Sequence, residues 1–146
     1  MIYLGSDHAG FQLKEEIKKY LQEQGVQVQD MGAFELNPED DYPDFIIPVA
    51  QKVAGDKEGK GIIFGATGQG EAITANKVKG IRAVLYYGGS LDIIKRSRSH
   101  NDANILSLGA RFLTKEEALD AVKLWLEIPF EGGRHERRLK KIEELE

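Results

Sequence analysis

Five times along this chain a short apolar run without alternation gives way to a segment with helical spacing. Few folds tolerate that succession. A strand that is apolar at every position is buried on both faces, and such strands belong to parallel sheets whose crossovers are helices. The runs are residues 2–4, 26–28, 61–64, 83–85 and 105–108. Between the first two, Leu13, Ile17, Tyr20 and Leu21 recur at i, i+4, i+7 and i+8, with Gly25 as a stop signal. Pro43 opens a second helix near its first position, flanked by Asp41 and Asp44, which suit the positive helix end. Residues 71–78 and 91–98 read as further helices. Thr114 and Glu117 form a capping box ahead of a helix carrying Ala118, Ala121, Val122 and Trp125 on one face. From Arg134 onward the chain is charged and helical. The expected fold is a three-layer α/β domain: a five-stranded parallel sheet, helices on both faces and a C-terminal helical extension. No repeat, low-complexity stretch or linker divides residues 1–146, so one domain is expected.

The chain has no cysteine, which excludes disulfides, thiolate metal sites and a cysteine nucleophile and fits a reducing, cytoplasmic compartment. A net charge of −4 without a long basic run argues against nucleic acid as a partner. There is no secretory pattern after Met1 and no apolar stretch of spanning length, so no membrane association is expected.

Functional groups in such sheets gather at the carboxyl ends of the strands. The polar loops expected there are residues 6–8, residues 65–70 and the region around His100. GSDHAG at 5–10 sets an acid beside an imidazole, which suits proton transfer. Ser6 or Asp7 equally suits a helix cap. In FGATGQGE at 64–71, three glycines let the backbone turn its N–H groups inward as an anion nest, and the following helix adds its positive end. Neither a Walker A loop nor a G-x-G-x-x-G fingerprint is present, so a nucleotide is not indicated. Glu71 is either a base or an acid complementing the helix dipole. HNDAN at 100–104 is a dense polar run or an Asx-type turn. In GGRHERR at 132–138, Arg134 and Arg138 share a helix face. They suit a phosphate dianion, or salt bridges with Glu131, Glu143 and Glu144. His8, His100 and His135 lie in different segments with no H-x-x-x-H spacing, so no metal site is expected. Lys77, Tyr42 and Trp125 have structural readings as a solvated tip, a packed aromatic and a core aromatic.

Together these segments resemble the type B ribose-5-phosphate isomerases and the related galactose-6-phosphate isomerase subunits. The matching strings are GSDHAGF at 5–11, DYPDF at 41–45, TGQGE with ITANK at 67–77, GIRA at 80–83, HNDAN with LSLGAR at 100–111, and FEGGRHERR at 130–138. The resemblance implies a Rossmann-like domain working as a homodimer in which each site borrows residues from the partner, with pairing of dimers left open. It implies interconversion of ribose 5-phosphate and ribulose 5-phosphate without cofactor or metal. Asp7 and His100 would open the furanose ring. Asn101, Tyr42 and Asp7 would bind sugar hydroxyls. His8, Arg134, Arg138 and Arg111 would hold the phosphate. Residues 66–70 (Ala66, Thr67, Gly68 and Gly70 among them) would form the oxyanion hole, with Thr67 as a side-chain donor.

Two departures matter. Many members carry a cysteine base at the position aligning with Gly65; an actinobacterial branch instead has a glutamate at the end of the loop, which Glu71 matches. The segment at residues 86–90 is about two residues longer than the common pattern. It lies where the sugar tail is expected, so a hexose or tetrose phosphate, such as allose 6-phosphate or galactose 6-phosphate, is an alternative substrate. A non-catalytic domain binding a phosphorylated ligand is the alternative outside enzymes.

Overall fold

The computed structural model describes all of residues 1–146. Five strands form one parallel sheet: β1 (Ile2–Ser6), β2 (Val28–Asp30), β3 (Lys60–Gly65), β4 (Ala83–Tyr86) and β5 (Ile105–Gly109). Their order across the sheet is β2-β1-β3-β5-β4. The helices are α1 (Phe11–Glu23), α2 (Pro43–Ala54), α3 (Gln69–Ala75), α4 (Asp92–Ser99), α5 (Lys115–Glu127) and α6 (Arg134–Glu143).

Side chains alternate across the sheet and separate two cores. On one face Leu4, Ile62, Phe64, Leu106 and Leu108 pack with Leu13 and Ile17 of α1, Ile94 of α4, and Val122 and Trp125 of α5. On the other, Tyr3, Ile63 and Ile105 pack with Ile46, Val49 and Val53 of α2 and Ala75 of α3. This two-sided burial is why the three central strands, β1, β3 and β5, read as apolar runs, while the edge strands β2 and β4 are only partly buried. The capping box forms as expected: Thr114 Oγ1 accepts from the Glu117 amide at 3.1 Å, and Glu117 Oε1 accepts from the Thr114 amide at 2.9 Å. No helix is long and apolar enough to cross a membrane.

Strands β1, β3, β4 and β5 run one or two residues beyond the sequence reading, and three elements differ further. The second strand starts at Val28 rather than residue 26, because Val26 donates to Leu21 O in the turn that ends α1, with Gly25 at φ +76°. The third helix starts at Gln69 rather than residue 71 and ends at Ala75; Thr67 Oγ1 accepts from the Gln69 amide at 3.2 Å and Gly68 supplies the left-handed residue before it. The fourth helix is shifted by one residue, to Asp92–Ser99.

One buried cation fixes the approach to the site. Lys14 of α1 is fully buried, and its Nζ donates to both oxygens of Asp30 at 2.8 and 2.9 Å and to Ala33 O. Removing one partner of a buried ion pair typically costs 3–5 kcal/mol, so the exit of β2 is pinned where the connection to α2 begins.

Candidate active site

The order of the strands reverses between β1 and β3, and the crevice outside the carboxyl ends of such a pair is where open α/β sheets bind ligands. The loops after these two strands carry Asp7, His8 and residues 66–71. Asp7 is buried, and its Oδ1 accepts from the amides of Ala9 and Gly10 at 3.0 and 3.2 Å. It organises the turn that leads into α1.

In the second loop, the amides of Ala66, Thr67 and Gly68 donate to no backbone carbonyl, and Gly68 has φ +77°. The backbone thus leaves donors free at the head of α3, as an oxyanion hole requires. A Cβ on Gly68 would meet Leu85 Cδ1 at 2.7 Å, so glycine is required there by packing as well as by conformation. Tyr42 leans on the same loop: a Cβ on Gly70 would meet its Cζ and Oη at 2.6 Å. Tyr42 is 36% exposed, so its ring is a wall of the loop rather than a core aromatic.

Glu71 is the third residue of α3 and only 4% exposed. A Cβ placed on Gly65 would fall inside the Glu71 carboxylate. The carboxylate therefore fills the space of a side chain at position 65, where the resemblance places the cysteine of other members. Burial is the main cause pushing the Glu71 carboxyl above its usual range; the nearby Asp7 charge adds to this, and a hydrogen bond from Glu71's own amide opposes it. An acid serving only the helix dipole would sit in solvent, so the burial favours the base reading.

His8 sits on the same rim, with Nδ1 2.7 Å from Asp40 Oδ1. The hydrogen bond to Asp40 is the main cause raising its pKa; burial and Arg111 oppose it, and the charges of Asp7 and Asp40 reinforce it. Arg111 follows β5, exposed, and its amide donates to Ala66 O at 3.0 Å, which ties its segment to the glycine-rich loop.

His100 is not at this end, contrary to the sequence expectation. It caps α4, which runs antiparallel to the strands and delivers the chain to the start of β5. There Asn104 donates to Arg82 O, just before β4 begins, so the region around His100 lies at the amino ends of the strands. Asn101 is exposed beside it. Glu131 donates through its amide to Ser99 O at 3.0 Å and brings the start of α6 to the same place. Arg134 and Arg138 are exposed there and form no salt bridge, so the ion pairs with Glu131, Glu143 and Glu144 are not made. The residues singled out in the sequence thus form two groups: Asp7, His8, Tyr42, the glycine-rich loop, Glu71 and Arg111 at one end, and His100, Asn101, Arg134 and Arg138 at the other.

The second group holds an arrangement that sequence spacing did not suggest. His100 and His135 stack with ring centroids 4.1 Å apart and planes 14° apart, and Glu131 Oε2 lies 3.9 and 3.7 Å from their Nε2 atoms. Lone pairs lying in nearly parallel planes that far apart do not converge on one ion at the usual 2.0–2.1 Å, so the pair reads as a stack and not as ligands. Burial, with His100 next in effect, pushes His135 below the usual imidazole range. Asp7, His8 and Asp40 also lie close together, but there His8 is hydrogen-bonded directly to Asp40.

Comparison with known proteins fits this arrangement. The sequence profile of the Ribose/Galactose Isomerase family matches residues 2–142. The chain belongs to this family. Ribose-5-phosphate isomerase B of Mycolicibacterium paratuberculosis is 41% identical over 146 residues, covering 99% of this chain and 91% of that protein. The structure of ribose-5-phosphate isomerase B from Clostridium thermocellum superposes with a TM-score of 0.93 at 45% identity, covering 99% of this chain and 95% of the other. That of Mycoplasma genitalium ribose-5-phosphate isomerase B with bound ribulose 5-phosphate gives 0.94 at 40% identity, covering 99% and 94%. The five-stranded parallel sheet with helices on both faces is therefore the fold of ribose/galactose isomerases.

Sequence reasoning missed Asp40 and the partnership of His135 with His100. Asp40 lies in a polar turn with no local signal. The histidine stack joins residues 35 positions apart and needs the tertiary fold to be seen.

Proposed function

We propose that this chain is a ribose-5-phosphate isomerase, interconverting ribose 5-phosphate and ribulose 5-phosphate through a cis-enediolate with Glu71 as the proton-transferring base. The carrying observation is the buried Glu71 carboxylate occupying the side-chain space of position 65, beside the free amides of the glycine-rich loop. In the open-chain aldose, Glu71 takes the C2 proton. The C2–H electron pair forms the C1=C2 double bond, and the charge moves to O1. The amides of residues 66–68 and the Thr67 hydroxyl stabilise that oxyanion; one such donor is typically worth 10²–10³ in kcat. The O2 hydroxyl proton passes to O1, and protonated Glu71 returns its proton to C1, leaving the ketone at C2. The balance closes without oxidant, metal or cofactor. His8, Arg111, Arg134 and Arg138 hold the phosphate. Asp7 and His100 open the furanose, and Asn101 and Tyr42 bind hydroxyls.

This assignment needs a second copy of the chain. His100, Asn101, Arg134 and Arg138 lie at the opposite end of the sheet from Glu71, and a five-residue strand spans roughly 15 Å. A homodimer in which each site takes its second group from the partner supplies them. Residues 1–146 act as one isomerase domain, and the absence of cysteine suits the cytoplasm.

The test is ketose formation from aldose phosphates of four to six carbons, with Glu71→Gln alongside. Turnover of ribose 5-phosphate should fall at least about 10²-fold in the variant while phosphate-ligand binding is kept. Near-native turnover would remove Glu71 from the chemistry, and an absence of ketose from every sugar would favour a non-catalytic binding domain. A second reading, preference for another sugar phosphate, rests on residues 86–90. Gly88 and Gly89 have positive φ, Tyr86 Oη donates to Gly89 O at 3.0 Å, and a Cβ on Gly109 would meet both Thr67 O and Tyr87 Cβ. The longer segment thus abuts the catalytic loop. Faster turnover of allose 6-phosphate than of ribose 5-phosphate would favour it.

A further inference from the structure

An isolated imidazole titrates near 6.5 and is mostly neutral where a cytoplasmic enzyme works, which makes it a weak partner for a phosphate dianion. His8 is not isolated. Asp40 Oδ1 accepts from the His8 backbone amide at 3.0 Å and lies 2.7 Å from His8 Nδ1. The Asp40 side chain is 8% exposed, and Oδ2 has no hydrogen-bond partner in the chain. Both side-chain bonds thus go to one residue, and neither ties the carboxylate to its own turn, which is held by the Asp40 amide donating to Asn37 O. Gripping both the backbone and the ring of His8 fixes the ring's direction. A carboxylate at Nδ1 also fixes which nitrogen faces it with a proton, leaving Nε2 as the outward atom.

We propose that Asp40 is a positioning residue: it holds His8 as an imidazolium whose Nε2–H is directed at the phosphate of the substrate. This rests on the assignment of the phosphate to His8 made above. The charged groups around His8 are Asp40, Asp7 and Arg111. The two carboxylates favour the charged ring and the guanidinium disfavours it. The hydrogen bond to Asp40 is the largest influence on the ring's proton affinity, so the charge on His8 depends chiefly on this one side chain. Asp7 is assigned above to the reacting end of the sugar, and its Oδ1 accepts from the amides of Ala9 and Gly10, so it does not duplicate the role.

The test is Asp40→Asn, which keeps an oxygen able to accept from the amide and from Nδ1–H of a neutral ring but removes the charge. His8 is followed by NMR across pH, its signals assigned by comparison with His8→Gln. Its titration midpoint should fall by roughly one pH unit or more in Asp40→Asn. The KM for ribose 5-phosphate and the inhibition constant of inorganic phosphate should diverge from native values as pH rises from that midpoint to the native one, by about tenfold per pH unit, and level off above it, with kcat within a few-fold of native. An unmoved His8 midpoint overturns the proposal. So does a rise in KM by one factor at every pH, which is what a loosened turn would produce. Failure of the isomerase reading shows separately, as native protein that forms no ketose. In that case the His8 midpoint and the shift of its signals on adding inorganic phosphate still decide the role of Asp40; a His8 signal that ignores phosphate would overturn it.

Discussion

At the scale of single residues, Gly65 and Glu71 are one design decision seen from two positions. Gly65 is not in the left-handed region, so its backbone would accept alanine; the obstacle is the Glu71 carboxylate. Gly65→Ala is therefore expected to displace that carboxylate and lower kcat by about 10²-fold while the protein still folds. In a Glu71→Ala background the same change should have little further effect, because the two residues act through one space. Additive losses would show that position 65 matters for another reason. The raised pKa of Glu71 sets a sign as well. As the proposed base Glu71 would work deprotonated, so kcat/KM should fall as pH drops through a value above the usual carboxylate range, and Glu71→Asp should retain a limb of the same kind. The folded state holds this proton more tightly than the unfolded chain does. The stability linked to it is full at low pH and is lost as pH rises through the raised value. Glu71→Gln removes the buried charge, so at neutral pH it should melt no lower than the native protein even as it loses turnover. A markedly lower Tm would mean that the carboxylate stabilises the loop.

Elements and the loops between them answer to different physics, and this decided what could be read in advance. Strands buried on both faces and helices with a continuous apolar stripe write their burial into the sequence, as Leu4, Ile62 and Leu106 do on one face and Ile63 and Ile105 on the other. The capping box of α5 is a local signal, complete within four residues. Thr114→Ala should cost about 1 kcal/mol and lower Tm by about 2–4 °C with kcat and KM unchanged; an unmoved Tm would mean the box is redundant. The chemistry of the glycine-rich loop was half legible. Its glycines announced free amides, but whether Glu71 faced solvent or the interior depended on packing against Gly65, which spacing does not encode. The Asp40–His8 pair and the His100–His135 stack were not legible, since each joins loops brought together only by the sheet. The most misleading signal was position along the chain. The HNDAN segment resembles an active-site loop in composition, yet it follows a helix rather than a strand and so falls at the amino ends of the sheet.

At the scale of the whole molecule, that displacement becomes an argument about assembly. A parallel sheet sends every strand in one direction, so a loop following a crossover helix cannot reach the loops that follow the strands. His100 and the α6 arginines are separated from Glu71 by the height of the sheet. Two of these residues are also left unpaired on the surface: Arg134 and Arg138 pair with no carboxylate. A twofold dimer that sets the amino-end group of one chain against the carboxyl-end group of the other joins the two halves twice, making two equivalent sites. The consequence is measurable by complementation. In such a dimer, Glu71→Gln and His100→Ala would each disable both sites of their own homodimer. In a mixed dimer, one site takes Glu71 from the His100→Ala chain and His100 from the Glu71→Gln chain, and is native, while the other carries both changes. Random pairing makes half the dimers mixed, each with one working site, so co-expression should restore about a quarter of native turnover from two inactive variants. If each site were built within one chain, mixing would restore nothing, and His100 and the arginines would have to reach Glu71 by a rearrangement of α4 and α6 within the monomer.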